Sequence, residues 1–284
     1  MGLLSGLENI GMGGLSEVKI FEDEKSKVEA AQKKKKEQVE LREEDFIFDK
    51  TYKCPVCDKE YKVRTVRTGK VKLVGSDSDL RPRYQFDTLK YDAVTCPYCG
   101  YSVLTRYFNI NPTSGQMKLL RENVCRAFKG IDEPGDIMTY DDALTRHKLA
   151  LLCSIVKRGK ASEKAYTCLK MAWLLRGKSE SLPANTPNLE KVRKDLAEQE
   201  KEAITNAYEG FTEAFSKENF PMCGMDEVTV TYLTAELARK IEKYDDALRL
   251  CARVITAKNV NDRIKEKARD MKDRIYEATG RKES

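Results

Sequence analysis

Four cysteines in two matched pairs constrain this chain more than any other feature. Cys54 and Cys57 stand in "KCPVCDKEY", and Cys96 and Cys99 stand in "VTCPYCGYSV". Each C-P-x-C pair fits one tight turn with both sulfurs facing a common point. Two such turns brought together present four thiolates in a tetrahedron, the arrangement Zn²⁺ prefers. Gly100, behind the second pair, can take a positive φ and let backbone N–H groups point at the sulfurs. Lys53, Lys59 and Lys62 add positive charge near a zinc tetrathiolate, which is itself an anion.

A site filled by four protein sulfurs has no open position for water or substrate, so it is structural and not catalytic. Its binding energy would hold together a module too small to fold on its own core. Iron is the rival. A rubredoxin-like site also uses paired turns with a following Gly-Tyr, as in Cys99-Gly100-Tyr101, and Asp58-Lys59 behind the first pair weighs against it. A redox dithiol would need only one pair, and no βαβ pattern surrounds either. The pairs are separated by 38 residues, Asp58 to Thr95, against about 15–20 in common zinc ribbons. A long insertion costs little closure entropy. Within it, "YKVRTVRTGKVKLVG" alternates β-branched and basic residues around Thr68-Gly69 and reads as a hairpin. The following "SDSDLRPRYQFD" reads as a turn-rich link.

The rest of the chain is helical in pattern. Residues 1–49 read as a loose Gly-rich lead and an exposed charged helix over Phe21–Glu44. Residues 50–110 read as a zinc-ribbon-like module, and residues 111–284 as antiparallel helices broken at "KGIDEPGD", "RGK", "GKSESLPANTPN" and "ENFPMCGM". Three segments share one spacing: Ala165/Leu169/Ala172, Ala207/Phe211/Ala214 and Ala247/Cys251/Val254. That spacing puts each trio on one helix face and is similar to the second helix of a tetratricopeptide repeat. "YDDAL" occurs at both Tyr140–Leu144 and Tyr244–Leu248. The alanines recur at intervals of 42 and 40 residues, longer than the repeat's usual length of about 34. The expected fold class is therefore mainly α, with a small β-rich zinc-ribbon-like module and a tetratricopeptide-like antiparallel helix array.

With these motifs in hand, the chain resembles a bacterial family known as domain of unknown function 2225. The two cysteine pairs, "DSDLRPRY", "CLKMAWLLR" and "ENFPMCGMDEVTVTYLTAELARKIEKYDDA" carry the resemblance, in order, over roughly residues 45–280. It implies a zinc-ribbon-like front and a tetratricopeptide-like rear, and it implies no activity.

No P-loop, G-x-G-x-x-G or G-x-S-x-G motif is present. The start lacks the basic n-region of a signal peptide, Gly6 breaks the myristoylation pattern, and no apolar run reaches spanning length. The expected location is cytoplasmic. In a reducing cytosol the nine cysteines read as metal ligands and buried thiols, not disulfides. Cys125, Cys153, Cys168 and Cys251 read as small buried hydrophobes. Cys223, in a loop ahead of a helix, reads first as a buried loop anchor and is also the best candidate for a reactive thiol, and with Glu227 it would be the residue pair of an enzyme. His147, the single histidine, sits one turn after Asp141 and Asp142 on a helix that can simply expose it. Asp77 and Asp79 look like the start of a calcium loop but lack its closing Glu and read as a polar turn. Trp173 reads as core.

Two functions follow from this reading. The first is a non-enzymatic zinc-binding scaffold whose helices dock a protein partner. The alternative is RNA or single-stranded DNA binding through Arg64, Arg67, Lys70, Lys72, Arg81 and Arg83 with Tyr61 and Tyr84 as stacking platforms. The alternative requires those cations to share one face beside exposed tyrosines.

Overall fold

The computed structural model describes residues 42–258 and 261–280. The charged stretch expected to be helical from Phe21 lies, up to residue 41, outside them. The described residues from Phe46 onward form one compact unit.

Its front carries three hairpins. Strand β1 (Ile47–Lys53) pairs antiparallel with β2 (Glu60–Val66), with Lys53 opposite Glu60. The first C-P-x-C turn is thus the end of that hairpin. Strands β5 (Ala93–Thr95) and β6 (Ser102–Leu104) pair in the same way around the second turn, with Thr95 opposite Ser102. The hairpin expected around Thr68-Gly69 does not form. Thr68–Lys70 is a 3₁₀ turn, β2 pairs back with β1, and β3 (Leu73–Ser76) pairs forward with β4 (Pro82–Tyr84). The cysteine turn already holds Lys53 beside Glu60, so β2 zips to β1 at almost no loop cost. The alternation in "EYKVRTV" is that strand's own two faces, with Tyr61, Val63 and Val66 buried. The segment read as a link is the third hairpin.

Seven α-helices follow among the described residues: α1 (Ser114–Leu120), α2 (Tyr140–Val156), α3 (Ala161–Ser181), α4 (Leu189–Lys217), α5 (Glu227–Lys240), α6 (Tyr244–Thr256) and α7 (Asp262–Thr279). Capping boxes start α1 (Thr113 with Gln116) and α2 (Thr139 with Asp142), and Asp226 and Asn261 cap α5 and α7. Each cap satisfies amide groups that the first turn leaves unpaired. The short links α2–α3 and α5–α6 turn through left-handed Arg158 (φ 55°) and Glu242 (φ 65°), which makes those neighbours antiparallel. Gly177 does not break its helix. A Cβ there would meet Asp87 Oδ2 at 2.6 Å and Arg81 Nη2 at 2.7 Å, so this glycine admits side chains of the front against α3.

All nine residues of the three spaced trios are buried. Their relation differs from a simple repeat. Ala165 and Ala207 lie on consecutive helices, α3 and α4, that touch: a Cβ on Gly210 would come within 2.8 Å of Ala165 Cβ. The first interval therefore separates two faces of one contact. Only α3 and α6 stand second in a tight helical hairpin, and the long α4 lies between the two hairpins. A large core runs from Phe46 through Trp173 and Phe211 to Ile275, and a smaller one joins Tyr52, Val56, Tyr61, Val94 and Tyr101 to Leu120 and Val124. The front thus packs on helical residues and not on itself alone.

Candidate metal centre

The two cysteine turns are built alike. In the first, Asp58 N–H donates to Cys54 O (2.9 Å) and Cys54 N–H to Lys59 O (3.0 Å); in the second, Gly100 N–H donates to Cys96 O (3.0 Å) and Cys96 N–H to Tyr101 O (2.8 Å). Gly100 takes φ 73°, as expected, and Asp58 takes φ 60° at the equivalent place. Asp is among the few residues besides Gly that enter this region readily. The missing glycine therefore does not set the first turn apart from an iron-binding knuckle, and that reason for preferring zinc falls away.

The hairpins bring the turns face to face. Cys54 Sγ lies 3.6 Å from Cys99 Sγ, and Cys57 Sγ lies 3.6 Å from Cys96 Sγ. All four sulfurs fall within 4.8 Å of one another and can hold a metal ion. Cys54, Cys96 and Cys99 are buried and Cys57 is half-buried. Val56 N–H points at Cys54 Sγ (3.4 Å), the kind of bond that steadies a thiolate. Sulfurs this close cannot all ionise by themselves. The bond with Cys96 pushes the Cys54 thiol up, while bonds with Cys54 and Cys99 hold Cys96 low. A divalent cation at their centre reverses that logic and stabilises every thiolate at once. The donor set is all thiolate and tetrahedral in count, which fits zinc and fits iron.

Residues beyond the two hairpins clamp the centre. After α1 the chain makes a π-helical turn, Arg121–Cys125. Arg121 donates through Nε (3.2 Å) and Nη2 (2.9 Å) to Val56 O of the first turn. Phe128 covers the second turn so closely that a Cβ on Gly100 would sit 2.5 Å from its ring. Cys153 of α2 donates to Gly100 O (3.7 Å) and accepts from Ser102 N–H (3.3 Å). Cys153, Cys168 and Cys251 are buried as expected, and burial pushes their thiols up to about 11, 11 and 12. Cys125 is only half-buried and packs against the sulfur cluster. Arg121, Phe128 and the placement of Cys153 had no local signal, because each acts across tens of residues of chain.

Four of the six cations of the nucleic-acid reading are engaged within the chain. Arg81 is 3% exposed and bonds Asp87 (2.8 Å) and Glu180 (3.2 Å). Arg83 bonds Asp77 and Glu180, and Arg64 bonds Asp49. Arg67 lies over the Phe48 ring, and Lys70 and Lys72 are exposed. Tyr61 is buried and Tyr84 packs on the large core. The segment that reads as a polar turn is one, closed by Leu80 N–H to Asp77 O (3.1 Å), and its two aspartates are also the hub of an ion-pair network. Asp79 is fully buried and bonds Arg176 (2.6 Å) and Lys240 (3.4 Å), while Asp77 bonds Arg83 (2.6 Å) and Arg176 (3.0 Å).

The structure places three further candidates. His147 is fully buried, not exposed. Its Nδ1 lies 2.7 Å from Ala143 O, and burial holds its pKa below the usual range. Cys223 is buried, as the loop-anchor reading expects, takes φ 51°, donates to Ser162 O (3.3 Å), and has its thiol pushed up by burial, which runs against the reactive-thiol alternative. Glu227 pairs with Arg253 at the surface. Trp173 is core, as expected.

Fold and site together define a mainly helical protein with a small β module built around a four-cysteine cluster able to hold a metal. A family described as "Uncharacterized protein conserved in bacteria (DUF2225)" matches residues 47–275, and the chain belongs to it. No curated protein and no solved structure matches the chain. No helix among the described residues is long and apolar enough to cross a membrane.

Proposed function

We propose that the protein is a cytoplasmic, non-enzymatic scaffold whose front is held by a structural Zn²⁺ on Cys54, Cys57, Cys96 and Cys99, and whose helices dock a protein partner. One observation carries the metal reading: four sulfurs converge on one point from two hairpins, each fixed by its own backbone hydrogen bonds. With all four positions occupied by protein, such an ion organises the fold and leaves no coordination site for chemistry. The scaffold reading draws support from the tight helical hairpins α2/α3 and α5/α6 and from the fate of the sequence-derived enzyme residues, which are buried or ion-paired. Burial of Tyr61 and Arg81 takes away the stacking face on which nucleic-acid binding depended.

Elemental analysis of the purified chain tests the metal, with about one zinc per chain expected and iron or no metal overturning it. Affinity capture from native extract with and without nuclease tests the partner. A protein retained after nuclease supports the scaffold, and loss of the captured material on nuclease treatment overturns it.

A further inference from the structure

A cavity whose lining includes none of the four paired cysteines has the make-up of a ligand site. It measures about 420 Å³ and lies where three connections meet: the segment after β6, the α2–α3 link and the α4–α5 loop. That volume is within the range of small-molecule pockets, roughly 300–1,000 Å³. Its two carboxylates are already engaged. Glu163 pairs with Lys157 at 2.7 Å. Glu218 accepts from Ser162 N–H (3.0 Å) and Ser162 Oγ–H (2.5 Å) and so satisfies the first turn of α3. Three cations on the lining, Arg106, Arg158 and Lys160, have no acidic partner among the described residues.

Arg106 is also pre-positioned. Its guanidinium lies over the Tyr166 ring at 4.8 Å and the Tyr107 ring at 5.7 Å. Gly224, with φ 71°, makes room for it: a Cβ there would come within 2.5 Å of Arg106 Nη2. A stacked guanidinium keeps its edge donors free, and that edge matches the two oxygens of a carboxylate or phosphoryl group. Apolar lining from Ile110, Pro221 and Met222 suits a body attached to such a group. The cleft between the β3–β4 hairpin and α7 suits an anion less: its Arg176 and Lys240 are committed to Asp77 and Asp79, and the carboxylates of Asp77, Glu236 and Asp270 line it beside Lys267 and Arg274.

We infer that this cavity binds a small molecule with a phosphoryl or carboxylate group and an apolar body, the oxyanion meeting Arg106, Arg158 and Lys160. The test uses the full metal-loaded chain, titrated at low salt with phenyl phosphate, benzoate and uncharged benzyl alcohol, and followed by amide chemical shifts and calorimetry. At least one anion is expected to bind and shift amides of residues 106–110, 157–163 and 218–224, and benzyl alcohol is not. Whichever anion binds more tightly identifies the head group. Arg106→Gln should weaken binding about tenfold or more, and Lys72→Gln, an exposed cation outside the cavity, should leave it unchanged. Lys160→Gln, on the surface link, gives a second variant should Arg106→Gln fail to fold. Three results overturn the inference: no anion binding at millimolar concentration, shifts confined to other residues, or equal losses in Lys72→Gln and the cavity variants.

Discussion

Two corners of the front are both β-hairpin structures, yet they are closed by different forces. At the sulfur corner, two hairpins meet through four thiols, three of them buried, over a small apolar core. At the β3–β4 hairpin, every residue of β3 is exposed and β4 is half-buried. Carboxylates hold it instead. Asp77 and Asp79 reach Arg176 on α3, Asp79 also reaches Lys240 on α5, and Arg81 and Arg83 reach Glu180. One corner concentrates closure at a single point. The other spreads it over several ion pairs that join the hairpin to two helices. Failure should follow the same division: complete at the first corner when one ligand is lost, graded at the second.

The largest effect is expected from Cys99→Ser or from a strong chelator. Structural zinc in small modules contributes on the order of 10–16 kcal/mol of apparent binding near neutral pH. A three-sulfur site should retain substoichiometric metal, and amide protection should vanish in β1–β2 and β5–β6 while α4–α7 keep theirs. Hydrogen exchange checks this directly. Unchanged protection of Thr95 and Ser102 in the metal-free chain would show that the helical clamp alone closes the corner.

Next in size is Asp79→Asn. Breaking one partner of a buried ion pair costs about 3–5 kcal/mol, because the remaining charge is left unpaired. Burial by itself would raise the Asp79 pKa, but the Arg176 hydrogen bond, with the charges of Arg176 and Lys240, outweighs it and holds the group below the ordinary carboxylate value. A depressed folded pKa gives stability that is present above the unfolded value, about 3.9, and lost as pH falls through the folded one. Urea midpoints measured from neutral to acid pH should show the wild-type chain losing this contribution below about pH 4, and Asp79→Asn lacking that part of the acid slope. Metal content should not change. An Asp79→Asn chain that releases its metal would show the two corners to be one cooperative unit.

The same contrast explains what was legible in the sequence. Paired cysteines announce themselves by local spacing, and three spaced alanine trios announce buried helix faces. The ion-paired hairpin gives no such signal. Arg81 and Arg83 in "DLRPRY" look like surface cations because the partner they share, Glu180, lies far along the chain on α3, and their nearby partners Asp87 and Asp77 stand at no spacing that marks a pair. "YKVRTV" announces a strand but not its partner, and the nearer candidate lost to the one that the cysteine turn holds in place. Ala165 and Ala207 were read as equivalent positions of successive repeats, whereas they sit on touching helices. Sequence periodicity reports that a face is buried and is silent on what covers it.

A third substitution compares the two cysteine turns themselves. Gly100→Ala must accept φ 73° and place a Cβ 2.5 Å from Phe128. Left-handed strain of roughly 1–2 kcal/mol adds to an overpacking cost of about 1–3 kcal/mol, less whatever Phe128 recovers by moving. Asp58→Gly, at the matching position, should be neutral or stabilising by under about 1 kcal/mol, because it relieves the same strain without a neighbour in the way. Thermal unfolding of the two variants, both metal-loaded, measures the asymmetry. Equal costs would mean that Phe128 does not press on the second turn.

The smallest effect should come from Arg121→Met, which keeps side-chain bulk but deletes both hydrogen bonds to Val56 O. Hydrogen bonds from a charged donor contribute about 1.5–3 kcal/mol when buried. Arg121 is largely exposed, so water takes over part of the loss and about 1 kcal/mol is the expected cost. Kinetics should reveal more than stability. The second turn is pinned by Phe128 and Cys153, whereas the π-helical turn reaches the first through Arg121, and Cys57 is the one half-buried ligand. Metal transfer to a chromophoric chelator should therefore begin at Cys57 and run several-fold faster in Arg121→Met, with wild-type metal content at the start. Unchanged transfer rates would place the weak point at the second turn and invert the order of the two.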